Sequence, residues 1–353
     1  MRSICVFLLL VPWIDGFQNR LPMVVNTWPF TDANAEGMKT LTNGGSVIDA
    51  VEAGCAVCER EQCDGTVGYG GSPDETGETT LDALIMDGLT MDAGSVAALR
   101  NVKSAVAVAR KVMEHTEHTL LVGSQASDFA FQMGFAKESL STNHSAKLYQ
   151  DWRSKDCQPN FWINVVPDPT RSCGPYKPIK DKQRYSKKRQ ESPYLKNLHH
   201  DTIGMIALDT YGRVAVATST NGAIHKIPGR VGDSPIVGSG GYCMHGVGGA
   251  VATGDGDVLM RFLPSFKAVD SMRMGFHPKE AAVAALATLA EHVVNFVGAV
   301  VVARVDGAYA AACYGIEEFP YSVTWGNNTT PKIETVKCLK HKDNMIHPYH
   351  PRP

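Results

Sequence analysis

Residues His200-Asp201-Thr202 join a basic, proline-punctuated stretch to the strand-like run that begins Ile203-Gly204-Met205. A Thr hydroxyl beside the carbonyl of a preceding Asp can attack that carbonyl through a five-membered ring, turning the peptide bond into an ester. Hydrolysis of the ester makes Thr202 a new N-terminus. A free α-amine has a pKa of about 7.7–8.0, so it can act as base for its own hydroxyl, the N-terminal threonine form of an activated nucleophile. An Asp-Thr dipeptide is more commonly an ordinary surface turn. Here the surrounding residues argue for chemistry.

Downstream stand Arg230-Val231-Gly232-Asp233 and Thr253-Gly254-Asp255-Gly256. An Arg offers a planar fork that grips a carboxylate, and an Asp accepts hydrogen bonds from an ammonium, so the pair could hold both charges of a free amino acid. Thr253 and Gly254 could present a hydroxyl and an unobstructed backbone N–H to a developing oxyanion. Thr202–Leu208 and Val214–Thr220 read as two strands around the turn-like Asp209–Arg213. With Leu208 opposite Val214, antiparallel register sets Thr202 opposite Thr220.

As a set, these residues resemble the glycosylasparaginase (aspartylglucosaminidase) branch of the N-terminal nucleophile hydrolases. The resemblance runs through Val24–Phe30, Cys58–Asp64, Gly70–Glu75, His200–Gly204, Thr218–Gly222, Gly229–Pro235 and Thr253-Gly254. It implies an α+β fold, a four-layer αββα sandwich, with self-cleavage between Asp201 and Thr202. The implied products are an α chain, 17–201, and a β chain, 202–353, which form one domain and assemble as an (αβ)2 heterotetramer. It implies hydrolysis of the amide joining N-acetylglucosamine to asparagine, with no cofactor and no metal. Carried over by position, Thr202 is nucleophile and base, Thr220 hydrogen-bonds it, and Thr253 and Gly254 form the oxyanion hole. Arg230 and Asp233 hold the substrate's α-carboxylate and α-amino group, within the segments Arg230–Asp233 and Thr253–Gly256. Trp28 and Phe30 match aromatic positions near the substrate.

Two departures from the family pattern stand out. A cysteine pair expected near Ala282 and Val302 is absent, and Met244-His245 replaces acidic residues after a Gly-rich turn. The alternatives are an asparaginase or isoaspartyl peptidase on the same scaffold, or a secreted relative that has lost catalysis. The aromatic Trp28-Pro29-Phe30 and the N-terminal leader favour the glycosylasparaginase.

The leader is Arg2, an apolar run Ile4–Val11 and a small Gly16, which reads as a secretory signal over residues 1–16. The run is too short to span a bilayer, so the expected place is the lysosome through the secretory route, with some secretion and no membrane anchor. Of nine cysteines, Cys5 leaves with the signal. In an oxidising compartment Cys58/Cys63, Cys157/Cys173 and Cys313/Cys338 are bridge candidates, with Cys55 and Cys243 as buried thiols. Asn143, Asn327 and Asn328 begin glycosylation sequons.

Residues 174–200 carry eight Lys/Arg against Asp181 and Glu191, the composition of an exposed linker open to proteases at Lys187-Lys188-Arg189. Lys+Arg 34 against Asp+Glu 36 leaves no basic footprint for nucleic acid. Ser46 and Ser124 open helix-like stretches, the second ended by Gly134, Lys103–Glu114 is helix-like, and Pro278 starts a helix through Asn295. A second hairpin, Gly298–Arg304 with Ala308–Cys313, turns at Asp306-Gly307. Hairpins mixed with helices imply an antiparallel-rich sheet with helices on its faces. Rival motifs fail. Gly238–Cys243 lacks the third glycine of a dinucleotide loop, Asp255-Gly-Asp257 lacks the other ligands of a calcium loop, and Cys55-Ala-Val-Cys58 has no second pair for zinc. His341, His347 and His350 read as a solvated tail.

Overall fold

The computed structural model describes residues 20–179, 202–293 and 295–340. The signal segment, the linker from residue 180, Asp201 and the tail histidines lie outside the described residues. Before Thr202 run β1 (Met23–Thr27), α1 (Thr31–Thr42), α2 (Val47–Glu61), β2 (Leu81–Asp87), β3 (Ala93–Leu99), α3 (Ala105–His115), β4 (Leu120–Val122), α4 (Gly123–Gln132), α5 (Asn143–Arg153), β5 (Val165–Val166) and β6 (Lys177–Pro178). After it come β7 (Ile203–Leu208), β8 (Val214–Thr220), β9 (Gly241–Met244), β10 (Gly248–Gly254), α6 (Gly256–Leu259), α7 (Pro264–Arg273), α8 (Pro278–His292), β11 (Gly298–Arg304), β12 (Tyr309–Tyr314), β13 (Glu318–Trp325) and β14 (Lys332–Lys337). The fold is a mixed α+β arrangement with large sheets.

The larger sheet has the order β14-β13-β1-β7-β8-β2-β3-β4 and the smaller β12-β11-β10-β9, while β5 and β6 pair alone. All pairings are antiparallel except β3 with β4. β1 lies between β13 and β7, and β2 pairs with β8. Segments from both sides of Thr202 therefore interleave in one sheet, and a cut before Thr202 would leave every one of these strand pairs in place.

Strand alternation sorts side chains into separate cores. From β1 and β7, Val24, Met205 and Ala207 enter a core beneath α1, α2 and α3, while Met23, Val25, Ile206 and Leu208 enter a second. From β10 and β11, Val251, Ala299 and Val301 meet that same second core, whereas Ala250, Ala252, Val300 and Val302 pack beneath α7 and α8. The near-continuous apolar runs of β7 and β8 follow from burial on both faces. At the edge, β14 alternates in exposure and carries Lys332, Glu334 and Lys337, charges that oppose pairing with another strand.

Helix bounds depart from the sequence reading at three places, while one expected cap is in position. Ser46 closes a capping box with Asp49 at α2. α4 begins at Gly123 after Val122, so Ser124 sits inside the first turn and caps nothing. α8 ends at His292, with Val293 already extended, three residues short of the expected Asn295, and α3 opens at Ala105. Both hairpins form, the first in the expected register with Leu208 opposite Val214 and the second with β11 paired to β12 across Asp306-Gly307. Cys58–Cys63, Cys157–Cys173 and Cys313–Cys338 are bonded, and Cys55 and Cys243 are buried and free. Ala282 and Val302, at the absent cysteine positions, both pack into the third core.

Among the described residues, no helix is long and apolar enough to cross a membrane, and no group of three or more His, Cys, Asp or Glu is placed to hold a metal ion. Asn143 opens α5 on the surface, and its sequon's Ser145 is committed to a capping box with Thr142. Asn327 and Asn328 are exposed between β13 and β14.

Candidate active site

Thr202 sits at the entrance to β7, 3 % exposed. Its backbone is pinned from β1, because Thr27 Oγ1 donates to the Thr202 carbonyl at 2.6 Å and accepts from Gly204 N at 2.9 Å. The Thr202 N–H donates to Thr253 Oγ1 at 3.0 Å. The Thr202 hydroxyl lies 3.1 Å from Ser234 Oγ. Ser234 is itself fixed, since Thr218 Oγ1 donates to its carbonyl at 2.7 Å and the side chain is 1 % exposed.

Thr253 is the next-to-last residue of β10, a strand of the smaller sheet brought onto the larger across the second core. Its hydroxyl accepts from Thr202 N and from Trp28 Nε1, the latter at 3.1 Å. A hydroxyl has two acceptor positions and one proton. With both acceptor positions engaged, its O–H is the capacity left to donate. Next to it, Gly254 has φ +129, and a Cβ there would stand 2.4 Å from the Val297 carbonyl oxygen. Only glycine fits both the dihedral and the space.

Trp28 therefore joins the site, with its own backbone at φ 60 and its ring edge-on to Phe319. Phe30 does not reach the Thr253 hydroxyl. It stands at the N-cap of α1 and packs against the first core.

Arg230 is turned over two glycines, since a Cβ on Gly232 or Gly222 would lie 3.0 or 3.3 Å from its Nη1. Its Nε and Nη2 both donate to Asp257 Oδ2, at 3.2 and 2.9 Å. Val231 beside it is half-buried. Asp233 is 3 % exposed, and its Oδ2 has no hydrogen-bond partner. Burial pushes its pKa up to about 7 against the pull of Arg230, with Asp255 and Asp82 adding to the rise. A buried, unpaired carboxylate is stabilised by an arriving cation. Gly256 is held against it, because a Cβ there would lie 2.8 Å from Asp233 Oδ1. Asp255 precedes α6, and its N–H donates to the Val297 carbonyl at 2.7 Å.

Thr220 ends β8, one step beyond the paired Ile203 and Ser219. Its hydroxyl accepts from Gly222 N at 3.0 Å and donates to the Thr66 carbonyl at 3.4 Å. The sequence expectation put Thr220 on the nucleophile's hydroxyl, and in the structure Ser234 stands there. Met244-His245 lies where β9 turns into β10. Met244 pairs with Gly248, and Thr253 is five residues further along β10 from that pair, roughly 17 Å away at strand rise, so the change from acidic residues lies away from Thr253.

Three buried charges support the site and were not singled out in the sequence. Lys226 Nζ donates to the Ser72 and Asn221 carbonyls, and burial lowers its pKa to about 8 while Asp82 opposes the drop. Asp82 accepts from Ala98 N at 2.7 Å, its pKa raised by burial although Lys226 and Arg230 pull it down. Glu59 on α2 accepts from Val106 N and Ser219 Oγ at 2.9 and 2.6 Å, and burial brings its pKa to about 7. Nothing in their spacing marks these three residues. Ser234 and Thr27 lie inside segments that carry the resemblance, as Glu59 does, and a hydroxyl next to Asp233 or Trp28 was a legible signal.

A family model described as asparaginase matches residues 16–330. The N(4)-(β-N-acetylglucosaminyl)-L-asparaginase of Rattus norvegicus is 54 % identical over 310 residues, covering 88 % of this chain and 88 % of that protein. The protein of that name in Mus musculus is 52 % identical over 344 residues, covering 96 % of this chain and 98 % of that protein.

Proposed function

We infer that this chain, which belongs to the asparaginase family, is a hydrolase that cleaves the amide between N-acetylglucosamine and asparagine. The observation that carries the reading is the convergence at Thr202 of a hydroxyl partner, Ser234, with Thr253, whose hydroxyl accepts from the Thr202 N–H. Arg230 and the unpaired Asp233 complete the group, in a chain about half identical to proteins of that named activity.

Maturation comes first. The Thr202 hydroxyl adds to the Asp201 carbonyl carbon, and the peptide C–N bond breaks to leave an ester and a free amine. Water then cleaves the ester, giving an Asp201 carboxylate and a Thr202 N-terminus. In turnover, that amine takes the hydroxyl proton as the oxygen attacks the substrate's side-chain amide carbon. Charge on the tetrahedral oxygen falls to the Thr253 hydroxyl and Gly254 N–H, donors worth about 10²–10³ in rate each. The leaving glycosylamine receives the proton, and water releases aspartate from the acyl-enzyme. Arg230 grips the substrate's α-carboxylate, Asp233 its ammonium, and Trp28 borders the pocket while orienting Thr253.

The stacked apolar cores support a four-layer αββα sandwich. On this reading residues 17–201 and 202–353 are the α and β chains of one domain, paired further as (αβ)2. Residues 1–16 direct the protein to the secretory route and the lysosome, and Asn143 and the overlapping Asn327/Asn328 sequons provide two glycan sites.

The test is chemical sequencing of purified protein together with assays of N4-(β-N-acetylglucosaminyl)-L-asparagine and a β-aspartyl dipeptide. The expected outcome is a smaller chain beginning at Thr202 and preference for the glycosylated substrate. Thr202→Ala should give a single uncut chain with no hydrolysis. Full maturation of that variant would show a host protease at work, and preference for the dipeptide would move the chain to the isoaspartyl peptidase branch.

A further inference from the structure

Resting on the reading of Arg230 as carboxylate clamp, we propose that Asp257 is an intramolecular competitor for it. Its carboxylate holds the guanidinium until an α-amino acid head displaces it, and so sets the affinity for substrates bearing a free α-carboxylate.

The edge of a guanidinium formed by Nε and one Nη presents two parallel N–H groups to a carboxylate. In Arg230 that edge is spent on a single oxygen, Asp257 Oδ2, at 3.2 and 2.9 Å. Its Nη1 lies close to Gly222, and Nη1, Nη2 and Cζ lie close to Gly232. A substrate carboxylate using the forked edge must take the place of Asp257.

Asp257 is built to leave. Its side chain is 42 % exposed against 15 % for Arg230, so its carboxylate can return to water while the guanidinium stays in position. Its backbone is held separately, with Arg261 Nε donating to its carbonyl at 2.9 Å and with Gly256 and Val258 buried on either side. Rotation of the side chain disturbs none of these contacts.

Asp233 is the counterpart. Its Oδ2 is buried without a partner, a carboxylate short of a cation, while Asp257 stands where an anion belongs. An α-amino acid zwitterion answers both at once, its ammonium reaching Asp233 and its carboxylate replacing Asp257. A ligand whose α-carboxyl is a neutral amide cannot compete for Arg230.

The experiment is calorimetric titration of wild type, Asp257→Asn and Asp257→Ala with L-aspartate and with its α-amide, beside steady-state kinetics on the glycosylated substrate. Removing the competitor should tighten L-aspartate by about two- to fivefold, the range an exposed ion pair can be worth. The α-amide should be unaffected, KM should fall by the same factor, and kcat should hold. Unchanged or weaker L-aspartate binding in both variants overturns the proposal, weaker binding showing that Asp257 orients Arg230. An equal gain for the α-amide overturns it as well. The binding arm stands apart from catalysis. Tighter L-aspartate in the variants of a chain that fails to hydrolyse the glycosylated substrate would refute the function while upholding the role of Asp257.

Discussion

Gly254→Ala is the sharpest perturbation of the proposed oxyanion site. The added Cβ would stand 2.4 Å from the Val297 carbonyl oxygen and 2.6 Å from Gly298 Cα, where ordinary contact begins at 3.4 Å. Both obstacles are backbone of the neighbouring strand, so neither can rotate away. The Thr253-Gly254 segment must withdraw by about 1 Å, a displacement that can cost roughly 10²-fold in rate. Loss of one oxyanion donor costs about 10²–10³, which sets the expected fall in kcat. KM should change little, because Arg230 and Asp233 lie on another loop. A side chain at φ +129 adds strain of about 1–3 kcal/mol to the fold, visible as a lower melting temperature. Gly246→Ala is the control. Its φ is +76 with no atom within 4 Å of the added Cβ, so it should lose about 1–2 kcal/mol of stability and keep its turnover. Activity is referred to the fraction of chain carrying an N-terminal Thr202, so that slow maturation is not counted as slow hydrolysis. A mature Gly254→Ala enzyme with wild-type kcat would refute the oxyanion assignment.

Two other expectations rest on single contacts. Ser234→Ala removes the hydroxyl 3.1 Å from Thr202 Oγ1 and should lower kcat about tenfold, the order of one hydrogen bond's worth, with KM unchanged; a kcat within twofold of wild type would remove Ser234 from the mechanism. Glu59→Gln tests linkage to pH. The folded carboxyl titrates near 7, above its ordinary 4.5, so its contribution to stability is fully present below the lower value and lost as pH rises through the upper one, about 3 kcal/mol in all. Urea unfolding at pH 4.5 and 7.5 should show a smaller loss in the variant, and an identical loss in both proteins would mean that Glu59 stays ionised in the fold.

The two hairpins were legible, and the Asp-Thr junction and the Arg230–Asp233 and Thr253-Gly254 segments could be proposed, because what each requires is local. A five-membered ring needs only adjacent residues, and antiparallel register follows from the turn that joins two strands. Segment ends were less legible. Val293 suits either helix or extended backbone, and tertiary packing chose the latter. Side-chain partners were not legible at all, because they are set by elements far apart in sequence. Thr202 meets Ser234 and not Thr220, since the Thr220 hydroxyl is claimed by the turn at Gly222 and by Thr66. Trp28 finds Thr253 across 225 positions, and Arg230 finds Asp257 across 27. Burial decided the charges in the same way. Nothing in the sequence shows how far the carboxyls of Asp233 and Glu59 are desolvated, and it is burial in the fold that raises both to about 7. The sequence by itself determined which groups can react. Tertiary packing settled which of them meet and in what state of ionisation, because contact and desolvation both depend on two sheets, the smaller of which is built wholly from strands that fall between β8 and β13 of the larger.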